Sequence, residues 1–172
     1  METIEYGFCD TPFGEIVAVK TPRGIRGVQF AHERRMRTLH EMTAGMGTDV
    51  TFWQNDDMAG EVWNAFAEGQ EQRLALDVSG TPFQMQVWET LRQVHTGTTV
   101  SYSELARIMG MPRAVRAVAS AVARNPVALI IPCHRVIHQD GTTGEYHWGS
   151  HRKQALIEWE RNGRYTSHAG GR

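Results

Sequence analysis

Pro132-Cys133-His134-Arg135 puts a cysteine at the end of an apolar run, Val127-Ala128-Leu129-Ile130-Ile131, where a core strand would carry another Val or Ile. The thiolate is the nucleophile, and an unperturbed thiol of pKa about 8.5 is only a few per cent ionised at neutral pH. His134 offers a proton acceptor, and positive neighbours at 134 and 135 favour the thiolate. A histidine in that role needs an orienting acceptor, and the closing segment offers two, Glu158 and Glu160. Cys9, between Phe8 and Asp10, lacks such company and reads as a small buried hydrophobe. Two cysteines build neither a disulfide framework nor a four-cysteine metal centre. His138, His147 and His151 match no ligand spacing, so scattered solvent-facing histidines are the expectation, with no metal and no cofactor.

The apolar run predicts a strand ending at Pro132, and the segments before it must position that strand. PRAVRAVASAVAR reads as a helix from Pro112 that stops before Asn125-Pro126. The preceding helix, SYSELARIMG, opens with Ser101 and Glu104 at capping-box spacing and stops at Gly110. Two short helices joined by Gly-Met-Pro carry a helix-turn-helix signal. In the second helix Ala114, Ala117, Ala119, Ala121 and Ala123 are small, and Arg116 is the central charge. Such a surface packs closely against the protein's own helices, or enters a nucleic-acid groove with one arginine projecting; spacing alone leaves both open. Upstream, Thr81-Pro82 starts a helix on which Phe83, Val87, Leu91 and Val94 recur at about one turn.

The first part of the chain differs in kind. TIEYGFC, GEIVAVK and GIRGVQF are β-prone runs separated by DTPFG and TPRG turns, a β-meander. Helices are expected from Glu33 to about Ala44 and over DMAGEVWNAFAEG, then a strand at LALDVSG. The predicted organisation is a small α/β domain over 1–79 and a mainly helical domain over 80–172, with a disordered tail at TSHAGGR. Charge divides the same way. Residues 1–80 carry 7 Lys+Arg against 13 Asp+Glu, and residues 81–172 carry 11 against 6. An acidic half joined to a basic half is the pattern expected if only the second half meets phosphates. The 172 residues, 41% hydrophobic and 22% charged, suit a soluble globular protein. No apolar stretch reaches a membrane span, and METIEYGFCDTPFGEIVAVK does not read as a signal peptide, so a cytoplasmic protein without membrane partners is expected.

IPCHRV resembles the active-site signature of the O6-alkylguanine-DNA alkyltransferases. NPVALIIPCHRV, RAVRAVASA, VSYSELA, GTPFQMQVWE and YHWGSHRKQALIEWE resemble the same family in order and spacing, over about residues 80–160. The second half is most similar to the guanine-repairing half of the bacterial adaptive-response protein. The resemblance implies a ribonuclease-H-like N-terminal domain and a winged helix-turn-helix C-terminal domain. It implies single-turnover transfer of an alkyl group from O6 of guanine, and from O4 of thymine, in duplex DNA to Cys133. His134 would act through a water as base, Glu160 would orient it, and Asn125 would pin the turn before the active site. Arg116 would fill the gap left by a flipped base. Tyr102 would press the backbone and donate a hydrogen bond to the guanine. Ala114, Val115, Ala117 and Ala119 would lie against the minor groove, while Val136, Tyr146, His147 and Trp148 would form the pocket. Glu145 departs from the family's pattern, and Trp148 is expected to narrow the pocket, favouring methyl over benzyl. A monomer without obligate protein partner is implied. The rival readings are a damaged-DNA sensor, a plain regulator and a turning-over cysteine hydrolase.

Overall fold

The computed structural model describes residues 1–163, and the expected disorder of TSHAGGR lies outside them. Two compact units divide the chain. One comprises Met1–Val78 with Pro126–Ile130, the other Ser79–Asn125 and the chain from Ile131 onward.

In the first unit, the three β-prone runs become β1 (Glu2–Cys9), β2 (Ile16–Thr21) and β3 (Gly24–Phe30), paired antiparallel as a meander. A fourth strand not foreseen in the sequence, β4 (Val50–Gln54), pairs parallel with β1, so the sheet is mixed, in the order β3-β2-β1-β4. The expected helices are α1 (Arg35–Thr43) and α2 (Asp56–Ala67). Asn55 caps α2, accepting from the Met58 amide, and its carbonyl lies so close to Gly7 that any Cβ there would collide with it. Ile4, Phe8, Val17, Val19 and Leu39 form the core on one side of this sheet. α2 buries Val62, Trp63 and Phe66.

Two expected strands are absent. In LALDVSG, only a single parallel bridge, Ile25 to Leu76, forms. In the apolar run before Cys133, Val127 makes one bridge to Val28 and the chain then turns. Leu129 takes φ 72°, the sole positive φ of a non-glycine residue among those described. Val127–Ile131 are all fully buried, so the apolar run reports burial rather than extended backbone.

In the second unit, α3 (Pro82–Leu91) starts with a complete capping box between Thr81 and Gln84 and Pro82 in its first turn. The indole N–H of Trp88 donates to the Ala121 carbonyl at 2.9 Å, tying α3 to α5 (Val115–Ala123). The strand β5 (Val100–Ser101) leads into α4 (Tyr102–Ile108), whose Ser101–Glu104 capping box is also complete. Gly110 supplies the φ of 77° that turns the chain after α4. α5 begins three residues later than expected, because Pro112 and Arg113 belong to a turn closed by the Ala114 amide on the Met111 carbonyl. β6 (Val136–Ile137) pairs parallel with β5, and α6 (Ser150–Arg161) closes the described chain.

Candidate active site

Cys133 opens a short 3-10 turn, Cys133–Arg135, directly after Pro132. It is 5% exposed. The Asn125 side-chain amide, just past the end of α5, donates to the Ile131 carbonyl at 2.8 Å and to Cys133 Sγ at 3.1 Å. One side chain therefore fixes both the entering backbone and the sulfur. Burial pushes the thiol up to about 11, while the Asn125 hydrogen bond and the charge of Lys153 pull it back. The resting sulfur is thus a thiol.

The expectation that both cationic neighbours bias Cys133 toward the thiolate does not hold for Arg135. Its guanidinium is buried and forks the Glu160 carboxylate, Nε to Oε1 at 2.9 Å and Nη2 to Oε2 at 2.7 Å. Nη1 donates to the Val94 carbonyl at 2.7 Å and Nη2 to Thr96 Oγ1 at 3.2 Å. His134 is fully buried, with Nε2 3.1 Å from Glu160 Oε2. Between the two candidate carboxylates, Glu160 is buried beside His134 and Glu158 is exposed. Burial opposes ionisation of Glu160, but His134 and Arg135 outweigh it and hold the carboxyl well below the usual carboxylate range. Against an ionised carboxylate, Nε2 is the donor, so in the neutral ring Nδ1 carries the lone pair that takes a proton.

A cavity of about 530 Å³ opens beside the sulfur. Its wall brings together Tyr102 from the start of α4, Val115, Arg116 and Ala119 from α5, Cys133, and His138, Glu145, Tyr146 and His147 from the loop before α6. Tyr102 and His138 face each other with ring centroids 5.5 Å apart. Burial raises the Tyr102 phenol, and the charges of Cys133 and Glu145 raise it further. Burial likewise lifts Tyr146 well above its ordinary value. Arg116 and Ala117 are exposed. Ala114 and Ala117 lie off the cavity wall, and so do Val136 and Trp148, which are buried. Trp148 packs its indole against Tyr146 and His147 of that wall, with ring centroids 5.2 and 4.8 Å apart.

One site residue escaped the sequence reading. Lys153 on α6 is 1% exposed; its Nζ donates to the Glu145 carbonyl at 3.1 Å and lies 5.9 Å from the Tyr102 ring centre. Burial draws its pKa down to about 8, opposed by Cys133. Its signal was phase: Lys153, Leu156, Ile157 and Glu160 recur at the spacing of an apolar helical stripe, with charges at both ends. Among the described residues, no group of three His, Cys, Asp or Glu side chains is placed to hold a metal ion, and no helix is long and apolar enough to cross a membrane.

The arrangement can form a thiolate inside a largely buried pocket, with a buried carboxylate-backed histidine next in the chain and an arginine exposed at the rim. The chain is similar to known proteins. A family model described as the DNA-binding domain of 6-O-methylguanine DNA methyltransferase matches residues 82–162. The bifunctional transcriptional activator/DNA repair enzyme Ada of Escherichia coli is 36% identical over 162 residues, covering 91% of this chain and 45% of Ada. The chain spans about half the length of the first curated relatives it matches. The crystal structure of Mycobacterium tuberculosis OGT in complex with DNA aligns at a TM-score of 0.75 and 34% identity, over 92% of this chain and 93% of that one. The O6-methylguanine-DNA methyltransferase of the hyperthermophilic archaeon Pyrococcus kodakaraensis aligns at 0.70 and 25% identity, over 91% and 98%. The chain belongs to the O6-methylguanine-DNA methyltransferase family.

Proposed function

We propose that this protein repairs duplex DNA by moving the alkyl group of O6-alkylguanine, and of O4-alkylthymine, onto its own Cys133, once per molecule. The observation that carries the proposal is the buried chain of contacts around the sulfur: Asn125 on Cys133, and His134 on Glu160, beside a cavity with Arg116 on its rim.

The α/β unit, ribonuclease-H-like in shape, serves as a scaffold, and the α4–turn–α5 pair with β5 and β6 works as a winged helix-turn-helix. α5 enters the minor groove, where Ala114, Val115, Ala117 and Ala119 allow close approach and Arg116 fills the gap left by the extruded base. Tyr102 presses the backbone and donates to the flipped guanine. The protein acts as a monomer in the cytoplasm, on duplex DNA.

Magnitudes decide how the thiolate arises. A thiol at about 11 is ionised in roughly one molecule in several thousand near pH 7.4. The thiolate is therefore made as the reaction proceeds. His134, through a water, takes the proton, and Glu160 stabilises the imidazolium. The sulfur attacks the alkyl carbon; the S–C bond forms, and the C–O6 pair leaves with the guanine. Tyr102 stabilises that anion, which is then protonated. The product is a thioether, so the thiol is not regenerated.

The test is the intact mass of the protein after incubation with a duplex holding one O6-methylguanine, with peptide mapping and a Cys133→Ala control. One methyl on Cys133 per protein is expected. An unchanged mass with preferential binding of the damaged duplex would make the protein a sensor, and a restored duplex with unmodified protein would make it a hydrolase.

A further inference from the structure

Glu145 is the anionic side chain on the cavity wall, and its place there is built. Its main-chain carbonyl accepts from the buried Lys153 ammonium, which anchors the residue, and its charge is close enough to raise the Tyr102 phenol. The charged and titratable groups facing that mouth come from every surrounding element: Arg116 on α5, Tyr102 on α4, and His138, Tyr146 and His147 in the loop. The Lys153 ammonium lies beneath, donating to the Glu145 carbonyl, and its charge acts on Cys133. In the proposed reaction Arg116 turns to the DNA stack; Lys153 is common to the wild type and to every Glu145 variant, so the charge that differs among them is that of Glu145.

We infer that Glu145 selects adducts by charge: the site favours neutral and cationic O6-alkyl groups and disfavours anionic ones. The inference rests on the alkyl-transfer reading above and names the substrate class of that site. An alkyl group aimed at Cys133 passes the carboxylate of Glu145. A carboxylate on that alkyl group meets like charge at the rim, and an ammonium meets opposite charge. The bonds made and broken are the same for each adduct: S–C forms, C–O6 breaks, and the pair leaves with the guanine. Intrinsic reactivity differs between adducts but not between protein variants, so the variant isolates the charge.

The experiment measures single-turnover transfer, by protein mass, from duplexes carrying O6-methylguanine, O6-carboxymethylguanine or O6-(2-aminoethyl)guanine. Wild type, Glu145→Gln and Glu145→Lys are compared. The ratio of carboxymethyl to aminoethyl rates is expected to rise about fivefold in Glu145→Gln, the scale of a partly screened surface charge, and further in Glu145→Lys, and the differences between wild type and variants are expected to shrink with added salt. General effects on DNA affinity cancel in that ratio. Methyl transfer with an unchanged ratio in both variants would overturn the charge selection alone. No transfer to Cys133 from any duplex by the wild type would overturn the alkyl-transfer reading beneath it.

Discussion

Replacing Lys153 by Met removes a buried cation and keeps most of its apolar stem. The ammonium donates to the Glu145 carbonyl at 3.1 Å, and burial lowers its pKa from 10.5 to about 8. Relative to the unfolded chain, the folded state thus favours the neutral amine, while Lys153 stays mostly protonated at pH 7. Between about pH 8 and 10.5 the unfolded chain holds a proton that the folded chain has released, so this group adds stability as pH rises through that window. Below it the lysine costs about 3 kcal/mol, at 1.36 kcal/mol per pKa unit. Against that cost stand the hydrogen bond to the carbonyl, about 1–3 kcal/mol when a buried group loses its donor, and up to about 1 kcal/mol from the Tyr102 ring. The two sides nearly cancel at neutral pH. Lys153→Met should therefore lie within about 1 kcal/mol of wild type at pH 7 and fall about 3 kcal/mol below it near pH 10.5. Urea melts at several pH values measure this, and the Cys133 thiol titrates in both proteins, so its contribution largely cancels. The same substitution withdraws a charge that lowers the thiol, so methyl transfer at neutral pH should slow, by less than about tenfold for each unit the thiol rises, since a more basic thiolate is also the better nucleophile. A stability loss of about 3 kcal/mol that does not vary with pH would refute the reasoning. Lys153 would then be a simple hydrogen-bonding post.

Glu160→Gln keeps the shape but leaves Arg135 buried without its anion, and should cost about 3–5 kcal/mol in a urea melt at pH 7. Because His134 and Arg135 hold Glu160 below its unfolded value, wild-type stability present above about pH 4.3 is lost as pH falls through that value and below. The variant should lack that part of the acid limb. Asn125→Ala removes the donor to Ile131 and Cys133, and should cost about 1–3 kcal/mol and slow iodoacetamide labelling of Cys133 below about pH 11. Arg116→Ala, at an exposed position, should leave stability within about 0.5 kcal/mol. It should slow transfer from a damaged duplex at least about tenfold, with transfer from the free O6-methylguanine base little changed, as single-turnover rates would show.

What the sequence disclosed was the local chemistry. The capping boxes at Thr81–Gln84 and Ser101–Glu104 form within one turn of chain, so their spacing suffices to read them. The strand Val50–Gln54 was hidden because four of its five residues face solvent and its partner, β1, pairs with it across a long stretch of chain. Val127–Ile131 misled in the opposite way: an apolar run shows that a segment is buried without showing its backbone, and here Leu129 takes a positive φ. Arg135 was misassigned because adjacency in sequence is not adjacency in a tight turn. With three residues per turn, successive side chains of the Cys133–Arg135 segment diverge, and the guanidinium goes to Glu160.

The same geometry explains why one helix carries two costly groups. Lys153 and Glu160 stand seven residues apart on the buried stripe of α6, two turns along one face. The first places a cation that lowers the thiol of Cys133, and the second places an anion on His134. Apolar residues at Lys153 and at the whole Glu160–Arg135 pair would remove these burial costs together, and by the general behaviour of buried ion pairs would match or exceed the present stability, whereas losing Glu160 alone strands Arg135. What they would remove is the coupling: a thiol still reachable by a base, and a base still able to become a cation. In the proposed reaction the helix would hold its charges for the chemistry more than for the fold. The Lys153→Met and Glu160→Gln variants separate the two contributions, since the first acts on the sulfur while leaving the His134–Glu160–Arg135 cluster intact.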